Sequence, residues 1–369
     1  MHGEGSDKIM KTYKVPLVPG PVRVPEKFRE AYMTDYGSSD LEKDFYDLLK
    51  DNQTLLKKVL KTDNSITIQS GEAMLVLWGA LKSTIRLGDR VLALSNGLFG
   101  HGLGEMAESL GAEVRYLEAD EGKFVDRETL SGELGSFSPY MVTAVHCETP
   151  SGLLNPIGEI APMVSQSGAL FCVDFVASAG GADVRVDEWG IDLGLLGSQK
   201  CLSLLPDLSV LTLSDDAWEA AERVNYAGYD AVLPWRDAEE KREMPCTHNW
   251  HANAAMNLSL RAILEEGLEN SFRRHKEVSV YCHSRISSMG LDLYARERAL
   301  ASPTVTAVRM PSRWTWEKLD GSLREEGMAV GGSYGDLAGK VFRIGHMGSQ
   351  ADMELVKNGM DILETVLSK

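Results

Sequence analysis

The stretch "CVDFVASAGGADVRVDEWGIDLGLLGSQKCL", residues 172–202, decides the fold. It carries most of two short apolar runs, 170–175 and 192–198, and each run hands over to a polar residue beside glycine. Short, continuously apolar runs bounded by turn residues read as strands buried on both faces. Asp174 falls at the end of the first run, and Lys200 follows the second after Gly197, Ser198 and Gln199. An isolated charge is costly inside a protein, so this pair needs either each other or a ligand.

The same alternation extends outward on both sides. "ITIQ" (66–69), "RVLALS" (90–95), "EVRYLE" (113–118), "MVTAVH" (141–146) and "LSVLTLS" (208–214) have strand character, with helical patterns between most of them. Helical spacing also marks 40–61, and a long helix is expected from Asn257 on past Glu265, through "EEGLENSFRRHKEVSVYCHSRI". A βα-like tail ends in a helix over 353–367. The pattern predicts an α/β chain: a large domain with a mostly parallel, mixed sheet covered by helices, plus a small α+β C-terminal domain. We expect an N-terminal arm over 1–16, the large domain over 17–265 and the small domain over 266–369.

Bulk composition narrows the function classes. The chain has 369 residues, 43% of them hydrophobic and 25% charged, as in an ordinary globular protein large enough for one big domain and a smaller one. A formal charge of −16 argues against nucleic acid, because phosphate binding needs a basic surface. An anionic substrate would need a few placed cations. No apolar run is long enough for a bilayer, and "MHGEGSDKIMKTYK" lacks the apolar stretch of a secretory signal. Five scattered cysteines without C-x-x-C predict free thiols in a reducing compartment, hence a cytoplasmic protein with no membrane partner and no zinc site.

In a parallel α/β sheet, ligands sit beyond the carboxyl ends of the strands. Asp174, Lys200, Thr149 and "QSGEAM" (69–74) all fall at such ends. Ser70 and Gly71 open a helix, where free backbone N–H groups and the helix dipole suit a phosphate; the bland reading is a simple cap. A lysine desolvated in a crevice can form a Schiff base with an aldehyde; the bland reading is an exposed lysine. An aspartate can keep a pyridine nitrogen protonated; the bland reading is a turn or helix cap. Phosphate, aldehyde and pyridine nitrogen together describe pyridoxal 5′-phosphate.

The chain resembles the class V aminotransferases of fold type I, close to the alanine–glyoxylate and serine–pyruvate aminotransferase group. The likeness runs through "VPGPVRVP", "SGEAM", "SNGLFGHG", "HCETPSGLLNPI", "VDFVASAGG", "GSQKCL", "GLENSFRRH" and "GKVFRIGHMG", and includes the 26 positions from Asp174 to Lys200. The resemblance implies that Lys200 holds the cofactor covalently and shuttles a proton, that Asp174 pairs with the pyridine nitrogen and that Thr149 bonds the ring hydroxyl. It implies phosphate contacts from Ser70, Gly71 and Gln199, with Thr247 arriving from the other subunit of a homodimer. Phe99 would stack on the ring, and Arg343 would clamp the substrate carboxylate, for which a planar bidentate donor is suited.

Two positions depart from that group, and one segment is unfamiliar. Met244 stands where a phosphate-binding tyrosine is expected. Glu72 replaces a histidine, and with "TPSG" and "RIGHMG" it also resembles the pyridoxamine–pyruvate aminotransferase branch, in which free pyridoxamine is the donor; the bland reading is a first-turn acid. The segment 245–256 is unfamiliar, so His248, Asn249 and His251 are candidates for shaping specificity; a metal site from the two histidines fits their spacing, but hydrogen bonding is the commoner role. The expected function is transfer of an amino group from a small amino acid of the alanine or serine type to glyoxylate or pyruvate, with the pyridoxamine reaction as the alternative. A cysteine desulfurase is disfavoured because Gln199, not histidine, precedes the lysine, and Cys282 lies in a helical pattern. A non-catalytic binder of the cofactor would have no need of Lys200, and no G-x-G-x-x-G or P-loop supports a nucleotide-binding protein.

Overall fold

The apolar runs form one seven-stranded sheet. A computed structural model describes residues 12–369, and its sheet runs in the order 65–70, 208–213, 193–197, 170–174, 141–145, 90–95, 113–118. Only the strand Leu208–Leu213 runs against its two neighbours; all other pairings are parallel. Six strands therefore place their carboxyl ends along one edge, as the mostly parallel reading requires. The strands Met141–Val145, Leu170–Asp174, Leu193–Gly197 and Leu208–Leu213 are buried at every residue, which explains why they are apolar apart from Thr143, Asp174, Ser209 and Thr212.

Helices cover both faces. On one face Phe45, Leu56, Phe171, Val210 and Met256 share a core, with the helices Lys43–Leu60 and Trp250–Glu266 packed over it. On the other, the helices Ala73–Thr84 and Leu98–Ser109 bury Leu77, Leu81 and Leu103 against Val91, Val145 and Leu193. The long helix expected beyond Asn257 is two helices, Trp250–Glu266 and Leu268–Ser288. Gly267 separates them at φ +84°, a conformation that glycine adopts without a Cβ penalty. The Glu266 carboxylate then grips Arg274 with two bonds of 2.6 and 2.9 Å, fixing the bend.

A third core gathers Leu17, Val278, Phe342 and Met360 around the antiparallel strands Val305–Arg309, Val341–Gly345 and Gly331–Gly332. Of the arm expected over 1–16, residues 1–11 lie outside the described residues, while Val15–Pro16 pairs in parallel with Met328–Ala329. That end is thus woven into the C-terminal core. Gly345 N donates to Leu17 O at 2.7 Å, and a Cβ on Gly345 would stand 2.2 Å from Val18 O, so only glycine lets this segment cross. On its far side Val22 N donates to Gln199 O at 3.1 Å. The segment 17–22 is held between the two parts of the chain, directly over Lys200. Among the described residues no helix is long and apolar enough to cross a membrane.

Candidate active site

Five strand ends feed one cavity of about 230 Å³, whose lining includes Glu72, Phe99, Thr149, Asp174, Gln199 and Lys200. Asp174 is the last residue of its strand, and Gln199 and Lys200 follow the strand Leu193–Gly197. Glu72 caps the helix after the strand Ser65–Ser70, and Phe99 lies in the first turn of the helix Leu98–Ser109. The N-terminal segment closes the top: Lys200 Nζ donates to Pro19 O at 2.7 Å. Gly20, at φ +107°, lies so close that a Cβ there would be 2.6 Å from Nζ.

Burial sets the charges. The Lys200 amine is pushed down to about 8, by desolvation first and the nearby Arg343 second. The Asp174 carboxyl is raised to about 6 by burial, opposed by the Val176 N–H, which donates to Oδ1 at 2.8 Å, and by Lys200. A lysine in this state is a neutral nucleophile at mildly alkaline pH. Beside it is a carboxylate able to hold a ring N–H, so the pair suits an aldehyde on a pyridine ring.

The phosphate-binding expectation meets a different arrangement. The Gly71 N–H is not free; it donates to Asp207 O at 2.9 Å. Glu72 caps the helix Ala73–Thr84 with its own side chain: Oε2 accepts from Met74 N at 2.9 Å, and Oε1 accepts from Gln199 Nε2 at 2.7 Å. The helix dipole explains why an acid settles there. Gln199 Oε1 is buried with no partner. Ser70 is exposed at the end of its strand, and Thr247 donates to Asp40 at 3.0 Å, so within one chain neither joins the cavity wall.

Arg343 sits in the strand Val341–Gly345 and is 3% exposed. Its Nε donates to Gly332 O at 2.7 Å, and its guanidinium lies 4.5 Å from the centre of the Tyr334 ring. Burial lowers its pKa from the usual arginine value. His248, Asn249 and His251 stay outside the cavity. His248 bonds Ile68 O and Asn253, Asn249 caps the helix Trp250–Glu266, and His251 packs edge-on against Tyr36. Among the described residues no group of three or more His, Cys, Asp or Glu is placed to hold a metal.

Two residues escaped the sequence reading. Glu148, fully buried, accepts from Phe99 N at 3.1 Å and Gly100 N at 3.0 Å, so it fixes the helix that brings Phe99 to the cavity. Burial raises its carboxyl to about 7. A Cβ on Gly97 would stand 2.4 Å from Glu148 Cγ, and that glycine was its one signal in the sequence. Tyr334 also lines the cavity, and only its glycine-rich setting hinted at a special loop.

Known proteins resemble the chain over most of its length. The model of the family "Aminotransferase class-V" matches residues 21–343. An uncharacterized aminotransferase of Methanocaldococcus jannaschii is 34% identical over 95% of this chain and 91% of its own length. The pyridoxamine–pyruvate transaminase of Mesorhizobium japonicum is 31% identical, over 80% of this chain and 77% of its own. The crystal structure of an alanine–glyoxylate aminotransferase from Nostoc superposes with a TM-score of 0.93 at 30% identity, covering 98% of this chain and 97% of that one. With its strands, Lys200 and Asp174 standing as they do, the chain belongs to the class V aminotransferases.

Proposed function

We propose that this enzyme transfers an amino group to a small 2-oxo acid, glyoxylate or pyruvate, through a pyridoxal-type ring held at Lys200. The observation that carries the reading is the buried Lys200 amine, lowered to about 8, in one cavity with the buried Asp174 carboxylate. A bound pyridoxal ring supplies the electron sink that makes an amine's neighbouring C–H acidic. Lys200 Nζ takes that proton and returns it, which requires it to be neutral at working pH. With the ring bound, Asp174 would hold the proton on its nitrogen, Thr149 would bond its hydroxyl, and Phe99 would stack on it. Arg343 receives the substrate carboxylate, which suits a cation in a chain of net charge −16.

The finer question is the donor. With pyridoxal 5′-phosphate resident, alanine or serine would be the donor, and Ser70, Gly71, Gln199 and the partner's Thr247 would hold the phosphate. The far end of the cavity favours a second reading. There the Glu72 carboxylate already takes the Met74 and Gln199 donors, and the orphaned Gln199 Oε1 is one more acceptor. Two acceptors call for a donor such as a hydroxymethyl O–H, whereas a phosphate brings only acceptor oxygens and like charge. The ring-binding residues thus fit a pyridoxyl group, while the phosphate end fits one without phosphate. This supports free pyridoxamine as donor and pyruvate as acceptor, the reaction named for the Mesorhizobium relative.

The deciding experiment gives purified protein L-alanine with glyoxylate and pyridoxal 5′-phosphate, or pyridoxamine with pyruvate. Turnover of only the second pair supports the pyridoxamine reading. Turnover of only the first returns the phosphorylated cofactor and the amino-acid donor, and turnover of neither overturns both. We include a homodimer in the proposal, since Met33, Leu41 and Tyr229 are large apolar side chains left exposed for a partner to cover. We also include the division at 16 and 265, and a reducing, cytoplasmic setting suited to the five free cysteines.

A further inference from the structure

Arg343 does not itself line the cavity; Tyr334 does, and stands over it. Arg343 is 3% exposed and Tyr334 55% exposed, so the cation intended for a carboxylate is covered by an aromatic side chain that itself faces solvent. Arg343 is tied at Nε to Gly332 O, at the base of the same loop, and its other side-chain partner is Tyr334 itself, so moving Tyr334 would leave the terminal nitrogens for a ligand.

The loop that carries the ring has a fixed base. Ser333 Oγ donates to Pro150 O at 2.9 Å, anchoring it to the turn that follows Thr149. Gly331 and Gly332 precede the tyrosine and Gly335 follows at φ +54°, a backbone that L side chains adopt only with strain. A second cavity of about 350 Å³ adjoins, with Asn96, His101 and Pro150 in its wall, and Tyr334 lines that one too. The ring is thus a partition between two spaces, and it has somewhere to go.

We propose that Tyr334 is a specificity-determining shutter: a substrate carboxylate reaches Arg343 only by displacing the phenol ring toward the second cavity, and the displaced ring then limits the space left for the substrate's side chain. The enzyme accordingly favours short 2-oxo acids over long ones. The inference rests on Arg343 as the carboxylate clamp of the proposed reaction. Displacing a cation–π contact is a modest cost, which a correctly seated carboxylate–arginine pair offsets and a poorly seated one does not.

The test uses the purified enzyme, Tyr334→Ala and Tyr334→Phe. Arg343 is labelled with phenylglyoxal and followed by peptide mass spectrometry, with and without pyruvate; kcat/KM is measured for pyruvate and for 2-oxohexanoate. Tyr334→Ala should label Arg343 roughly tenfold faster and cut the preference for pyruvate roughly tenfold, while Tyr334→Phe, which keeps the ring, should label at a rate nearer the wild type. An unchanged labelling rate in Tyr334→Ala overturns the shutter. So does a raised KM for both acids with their ratio unchanged, which would make Tyr334 a brace for Arg343. If pyruvate fails to slow labelling in every variant, the carboxylate clamp itself is overturned, a result distinguishable from failure of the shutter because the labelling does not depend on turnover.

Discussion

Gln199 donates its side-chain amide to Glu72 across 2.7 Å, from one strand end to another 127 positions away in the chain. The contact orients the amide, because the carboxylate can only accept, and so leaves Gln199 Oε1 facing no donor. A fixed carboxylate and an unpaired carbonyl thus define the polarity of one end of the cavity. The chemistry accepted there follows from their acceptor character more than from the shape of the helix N-terminus behind them.

Replacing that carboxylate is the direct check. In Glu72→Gln the negative charge goes while the side chain's length stays. The affinity for pyridoxal 5′-phosphate relative to pyridoxal should rise about tenfold or more, as relief of like-charge apposition predicts. Absorbance titration of both aldehydes against both proteins measures it. An unchanged ratio would mean that Glu72 does not face the ligand's phosphate end.

Lys200 gives a pH signature. Its amine is lowered to about 8 from the ordinary 10.5 because burial disfavours the charged form, so the neutral, reactive species grows as pH rises through about 8. Trapping pyridoxal on Lys200 with cyanoborohydride at a series of pH values should give a curve centred there. A midpoint near 10 would place the amine in water, contrary to the cover given by Pro19 and Gly20.

Much of this was legible in the sequence, for reasons that specific residues make plain. The strands Arg90–Ser95 and Glu113–Glu118 fall where their residue pattern put them, because a run between two turns leaves little freedom of boundary. Asp174 and Lys200 stood out because a charge at the end of a buried strand has few inert explanations. The bend at Gly267 was hidden because helical periodicity continues on both sides of it. Glu148 was hidden for a deeper reason: its partners are backbone N–H groups 48 and 49 positions earlier, and no side-chain pattern records a backbone donor. The same holds for the Gly71 N–H, engaged by Asp207 O where a free donor was expected. Tyr334 owes its position to a tertiary contact with Arg343 across the strand register, which spacing alone does not encode.

Glu148 should behave as a positioning residue with a pH-dependent cost. Its folded carboxyl is raised to about 7 from 4.5, so between those values the folded state holds more protons than the unfolded one, and stability falls as pH climbs through that window. Glu148→Gln removes the titration and leaves one of the two amide N–H groups facing an NH₂, a loss of about 1–3 kcal/mol. Its melting temperature should lie below the wild type at pH 5, and the gap should narrow by pH 8. A gap that widens would mean that the ionised carboxylate is the better-solvated form.

Gly20→Ala separates damage to the site from damage to the fold. The new Cβ would meet Lys200 at Nζ, Cδ and Cε within 2.6 to 2.8 Å, and the residue would have to hold φ +107°. The backbone strain costs about 1–3 kcal/mol, enough to lower the melting temperature by a few degrees in a chain of this size. The steric conflict, however, is with the flexible end of a lysine, which relieves it by leaving the Pro19 carbonyl and swinging away. The consequence falls on chemistry: pyridoxal trapping at Lys200 should drop at least tenfold at pH 8 while the protein still unfolds cooperatively. Trapping at the wild-type rate would show that the N-terminal segment lifts off without disturbing the lysine, and that the closure over Lys200 contributes nothing to its reactivity.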